Sequence, residues 1–246
     1  MDRRYDVLLC DADNTIFDFN KAEERAFEAA CAFAGLTASP ELLATYSVIN
    51  ERLWKLLEQG GITQSVLRVR RFEQFLAAIG RTDVDAAGMS AAFVDALGRQ
   101  SSPMDGAVEA VARWSRVLPV IIVTNGIAKV QHGRMDGSAF APYITGLVIS
   151  EELGVAKPDP RMLLEGMKLA GVTDVHRALM LGDSLSSDIA AAANAQVDAC
   201  WYNPNGQEPG DAQPTYTVTR LEELYPIVME AEELANVGSK NRKHQL

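Results

Sequence analysis

Cysteine is scarce and scattered. Cys10, Cys31 and Cys200 stand far apart and are odd in number, which excludes a disulfide framework and a zinc-type spacing. His132, His176 and His244 are equally dispersed and suggest no cluster. No apolar run approaches the ~20 residues of a membrane-spanning helix, so no membrane partner is expected. The opening stretch MDRRYD runs directly into a strand pattern, without the apolar region of a secretory signal. A reducing, cytoplasmic setting is the expectation. Positive charge is also short, for the net charge is −10. That argues against nucleic-acid binding, which rests on basic surface. The tail GSKNRKHQL is basic but reads as an unstructured terminus. What remains is ordinary globular material, 48% hydrophobic and 23% charged in 246 residues. It is enough for a core and a second small domain.

The pattern changes along the chain. YDVLLCDADNTIFDF starts as a buried strand and then reaches Asp11 and Asp13. From Phe19 to about residue 100 the periodicity is helical. Asn20 with Glu23 resembles a capping box, with Gly35 as the stop. Ser39-Pro40 opens a second helix that ends at Gly60-Gly61. Thr63 opens a third, stopped by Gly80, and a fourth spans roughly Asp83 to Leu97. From residue 105 short apolar strands (PVIIVTNG, ITGLVIS, ALMLGD, DACWYN) alternate with helices, and TYTVT suggests a last strand before a closing helix to about residue 235. Such alternation predicts a parallel sheet covered on both faces. The fold class is therefore α/β, with a core of residues 1–17 and 101–246 and a helical insert over 18–100. An insert just past a strand's carboxyl end overlies the ligand crevice of such sheets and can act as a lid.

Each predicted core strand ends in polar groups: Asp11 and Asp13, then Thr124-Asn125, then Lys157, then Asp183 with Asp188 beyond it. The carboxyl ends of parallel strands share one edge, so these groups can converge. Carboxylates without histidine or cysteine point to a hard cation such as Mg²⁺. A hydroxyl and an ammonium suit the oxygens of an anion. One aspartate can attack phosphorus, and a second can give and take the proton. In an extended strand Asp11 and Asp13 would share a face, a geometry that can lapse past the strand's end.

The ordered set DADNT, VTNG, AKPDP and GDSLSSD resembles the four motifs of the haloacid dehalogenase (HAD) superfamily over Asp11 to about Asn203. The resemblance implies a Rossmann-like core, Mg²⁺ and an aspartate nucleophile. It implies Asp11 as nucleophile and metal ligand, and Asp13 as general acid/base lending its carbonyl to the metal. Thr124 and Asn125 would hold the phosphoryl group, Lys157 would neutralise it, and Asp183 and Asp188 would serve the metal. True dehalogenases of this superfamily lack an acid where Asp13 stands, so phosphate-ester hydrolysis is favoured. The insert's position resembles the small helical cap of the C1 subgroup. INERLWKLLEQGGITQSVLRVRRFEQFL and CWYN resemble the YjjG-type pyrimidine 5′-nucleotidases, which implies nucleoside monophosphates as substrates. Where that family often has glycines, this chain has Ala191 and Gln196, the latter at an expected left-handed helix stop.

Plainer readings stand beside these. Asp13 and Asn14 could be turn residues, Lys157 a solvated loop lysine, and Asp188 a helix-flanking acid. Arg68, Arg70 and Arg71 could form a solvated face, or Arg68 or Arg71 could meet the substrate. A sugar-phosphate or phosphoglycolate phosphatase, or a phosphomutase on the same core, is an alternative. A receiver-type signalling module is another, but such modules are shorter and carry no insert after the first strand. A monomer or small homo-oligomer is expected.

Overall fold

The computed structural model describes residues 3–229. The basic tail 238–246, and the part of the expected closing helix past residue 229, lie outside the described residues. Among the described residues six strands form one sheet in the order β3-β2-β1-β4-β5-β6. They are β1 (Val7–Cys10), β2 (Val120–Thr124), β3 (Gly146–Ile149), β4 (Ala178–Gly182), β5 (Asp198–Tyr202) and β6 (Tyr216–Val218). Every neighbouring pair is parallel. The order turns at β1, which lies between β2 and β4. Crevices for ligands form beyond the strand ends at such a switch point.

Both faces of the sheet are buried because alternate strand residues feed two apolar layers. Leu8, Ile122, Leu179 and Leu181 pack with Trp114 and Phe140 on one side. Val7, Leu9, Ile121, Val123 and Met180 pack with Met162, Leu163 and Met167 on the other. Helices α5 (Ala107–Trp114), α6 (Ala128–Asp136), α7 (Ser150–Leu153), α8 (Arg161–Leu169), α9 (Ala190–Ala195) and α10 (Leu224–Val228) make the connections and closure, numbered after the four helices of the insert that lie between β1 and α5.

Those four are α1 (Phe19–Phe33), α2 (Pro40–Glu58), α3 (Gln64–Ala78) and α4 (Ala86–Leu97). They share a cluster of Phe27, Tyr46, Phe72, Phe75 and Phe93, which extends to Ile127 and Val130 around the start of α6. Ser39 and Thr63 cap α2 and α3 with their hydroxyls. Two expected starts shift. Asp18 caps α1 by accepting from the Lys21 N–H at 3.0 Å, while the expected capping residue Glu23 accepts instead from Asn50 of α2 at 2.9 Å. Asp85 caps α4, so that helix begins three residues after Asp83. The expected single helix over LSSDIAAAANA is a π-turn at Leu185–Ile189 followed by α9. Gln196 adopts φ 58°, ψ 32°, the left-handed stop that its position predicted. No helix among the described residues is long and apolar enough to cross a membrane.

Candidate active site

Asp11 follows β1, Asp183 follows β4, and these strands are neighbours. The π-turn after β4 carries Asp188 inward, where Ser184 N–H donates to its Oδ2 at 3.0 Å. Asp11, Asp183 and Asp188 each offer an oxygen, all within 4.8 Å of one another. Lys157 reaches them from the loop beyond β3. Its buried ammonium donates to Asp11 Oδ1 at 2.5 Å, Asp188 Oδ1 at 2.6 Å and the Val123 carbonyl at 2.7 Å. All three of its donors are thereby used. Gly182 is required here, since a Cβ would sit 2.2 Å from Asp188 Oδ2.

The electrostatics follow from three carboxylates crowded against one ammonium. Burial pushes the Asp11 carboxyl well above its ordinary range, against the pull of Lys157. Burial and then Asp188 push Asp183 up to about 7. Burial alone would lower Lys157, but Asp11 and Asp188 hold it above the usual lysine value. Hard oxygen donors at this spacing, with more negative charge than Lys157 balances, suit Mg²⁺. Thr15 Oγ lies 3.5 Å from both Asp11 Oδ2 and Asp183 Oδ1.

Asp13 turns away from this cluster, because β1 has ended and the alternation of an extended strand no longer applies. Its carboxylate receives Gln131 Nε2 at 2.9 Å and pairs with Arg134. Both partners lie on the inward side of α6. Arg134 is fully buried, with its guanidinium over the Phe17 ring and its Nε donating to the Gln100 carbonyl at 2.8 Å. Gly126 leaves room for this arrangement, for a Cβ there would meet Gln131 Nε2 at 2.3 Å.

Asp11, Asp13, Thr124, Asn125, Lys157, Asp183 and Asp188 all line one cavity of about 260 Å³. Its wall toward the helical insert includes Phe19, Trp54, Glu58 and Arg71. Asn125 uses its side chain on Lys157, accepting from the backbone N–H at 2.7 Å and donating to the carbonyl at 2.8 Å. Within the cluster Arg68, Arg70 and Arg71, Arg71 is buried and lines the cavity, and Arg70 is exposed. Arg68 is not among the lining residues and pairs instead with Glu151 at the start of α7. Glu151 also accepts from Ala128 N–H at 2.8 Å, and Gln64 of α3 donates to the Gly126 carbonyl at 2.8 Å. These contacts fasten the insert to the sheet's edge.

The sequence reading missed Gln131, Arg134, Gln64, Glu23 and Asn50. A usable signal existed for the first two, polar residues three apart on a short helix directly after VTNG.

A haloacid dehalogenase-like hydrolase family profile matches residues 5–196. The chain belongs to the haloacid dehalogenase-like hydrolases. Among relatives in this family, the pyrimidine 5′-nucleotidase YjjG of Escherichia coli is 32% identical over 228 residues, 92% of this chain and 98% of that one. The pyrimidine 5′-nucleotidase PynA of Streptococcus pneumoniae is 33% identical over 223 residues, 89% of this chain and 93% of that one. The crystal structure of the HAD-hydrolase YfnB of Bacillus subtilis, bound to magnesium and described as revealing interdomain movement, superposes with a TM-score of 0.85. It is 30% identical and is matched over 92% of this chain and 99% of its own. As a HAD-like hydrolase of the phosphatase kind, the chain is an enzyme.

Proposed function

We propose that the chain is a Mg²⁺-dependent phosphatase of pyrimidine nucleoside 5′-monophosphates, working as a monomer or small homo-oligomer in the cytoplasm. The observation that carries the reading is the gathering of Asp11, Lys157, Asp183 and Asp188 at one switch point, with Asp13 on the same cavity. The YjjG and PynA relatives, both named pyrimidine 5′-nucleotidases, support the substrate class.

Asp11 is the nucleophile. Its carboxylate oxygen attacks phosphorus, and the electron pair of the breaking P–O bond goes to the nucleoside 5′ oxygen. Asp13 enters the step protonated, delivers that proton to the leaving oxygen, and is left as the carboxylate that Gln131 and Arg134 hold. Asp13 then takes a proton from water, whose oxygen attacks the aspartyl phosphate. The bond to Asp11 breaks, and inorganic phosphate leaves. Lys157 fixes Asp11 through Oδ1 and offsets its charge. Thr124 and the backbone of Asn125 receive the phosphoryl oxygens. Asp11, the Asp13 carbonyl, Asp183 and Asp188 would hold Mg²⁺, which supplies charge compensation for the transferring phosphoryl group.

Residues 18–100 act as a cap that closes the cavity and 1–17 with 101–246 as the catalytic core. Arg71 belongs to the substrate's wall. Arg68, expected beside it, is assigned to holding the cap through Glu151. A phosphate-release screen over UMP, dUMP, dTMP, AMP, sugar phosphates and phosphoglycolate with Mg²⁺ tests the reading. Pyrimidine monophosphates should lead. A ranking led by sugar phosphates or phosphoglycolate would replace the substrate class.

A further inference from the structure

We propose that Arg71 reads a ring carbonyl of the substrate's base, and that Glu23 and Asn50 are positioning residues that aim it, an inference that rests on the nucleotidase reading. Arg71 is only 2% exposed, yet it lines the cavity. Its guanidinium lies over the Phe93 ring, 4.4 Å from the centroid, and 5.3 Å from that of Phe72. One corner is occupied, for Nη1 donates to Asn50 Oδ1 at 3.2 Å. The Asn50 amide in turn donates to Glu23 Oε1 at 2.9 Å. A guanidinium on one side and a carboxylate on the other leave that amide a single sensible orientation. Glu23 thus supplies a remote countercharge, and Asn50 locks the plane of the fork.

The other edge is unpaired. Nε and Nη2 of Arg71 are buried and have no hydrogen-bond partner among the described residues. Their N–H bonds run nearly parallel, the geometry that grips an acceptor from two donors. Leaving buried donors unmade is costly, and arginine cannot accept, so the group that completes this edge must carry lone pairs. The Tyr46 hydroxyl stands close enough to Arg71 to feel both its charge and the pull of its N–H groups, yet it completes no hydrogen bond with them.

Phosphoryl oxygens are one candidate acceptor, but the surroundings disfavour them. The Arg71 guanidinium sits against the Phe72 and Phe93 rings, and Phe19, Trp54, Leu97, Ile127 and Val130 line the same cavity. The phosphoryl-binding groups come from the opposite, sheet-edge wall. An apolar pocket with one donor fork fits a flat ring bearing a carbonyl. Every pyrimidine base has such an oxygen at C2, and adenine has none.

The test compares kcat/KM for UMP and for ribose 5-phosphate in wild type, Arg71→Met, Arg71→Lys and Asn50→Leu. The ratio of the two should fall about 10–100-fold in Arg71→Met, as expected for losing a charge-assisted hydrogen bond in a desolvated site. Arg71→Lys keeps the charge and most of the stem, so it guards against misfolding; without the fork it should lose most of the same ratio. Asn50→Leu should lose about 5–10-fold, read mainly in the KM for UMP. An unchanged ratio in the folded Arg71 variants, whether both substrates suffer or neither does, overturns the inference while leaving the nucleotidase reading intact. A wild-type enzyme that handles ribose 5-phosphate as well as UMP overturns the nucleotidase reading and the inference with it.

Discussion

Of the buried cations that line the cavity, Lys157 and Arg71 are treated differently. Lys157, at the sheet's edge, has all three donors taken by Asp11, Asp188 and a main-chain carbonyl. Arg71, in the helical insert, has one corner held by Asn50 and one buried edge unpaired. A saturated cation fixes its neighbours and tunes their charge. A half-satisfied one awaits a ligand. The contrast suggests a division of labour, in which the sheet edge determines the reaction and the insert determines what is brought to it.

Breaking the sheet-edge side should have the largest effect. Asp11→Asn should cut turnover of every phosphate ester on the order of 10⁴-fold or more, with the circular dichroism spectrum preserved. Selective loss on nucleotides alone would merge the two roles. Lys157→Met should be felt in the fold itself. It strands Asp11 and Asp188 as buried carboxylates and should cost about 3–5 kcal/mol in urea unfolding at neutral pH.

The carboxylate cluster also sharpens the contrast through pH. The folded Asp183 carboxyl titrates near 7, against 3.8 for the ordinary group. Between these values the folded state holds more protons than the unfolded one, so stability falls as pH rises. The melting temperature of metal-free protein should decline across that window, and Asp183→Asn should flatten the decline. Millimolar Mg²⁺ should restore the loss at the upper end by binding the folded state. A metal-free profile that rises from pH 4 to 7 in wild type but not in the Asp183 variant would contradict the sign.

The smallest effect belongs to Arg68. Its pair with Glu151 is partly solvated, so Arg68→Ala should change stability by less than about 1 kcal/mol. The KM for UMP should move less than about 3-fold, in contrast to Arg71→Met.

The sheet edge was largely legible in the sequence because its groups sit at strand ends, where local pattern and chain order fix their place. Thr124 ends β2, Asp11 follows β1 and Asp183 follows β4, as the motifs require. The insert was legible as helices but not as a site. Glu23 fits a local capping box by spacing, yet Asp18 takes that role and Glu23 bonds to Asn50 of another helix. Spacing sees neighbours along one helix and is blind to a partner 27 residues away. Asp13 shows the same limit. An acid role for it could be proposed from the motif, but its partners Gln131 and Arg134 lie 118 and 121 residues further on. Their contact depends on how α6 lies across the cavity. Among three adjacent arginines, only packing separates the exposed Arg70 and the paired Arg68 from the buried Arg71.

The most direct check on the central claim is to quench turnover of UMP with acid, reduce the trapped acyl phosphate with borohydride, and map the product by peptide mass spectrometry. The account predicts homoserine at position 11, dependent on Mg²⁺ and absent from Asp11→Asn. Homoserine at Asp13 or Asp183, or rapid turnover with no reducible acyl phosphate, would contradict it.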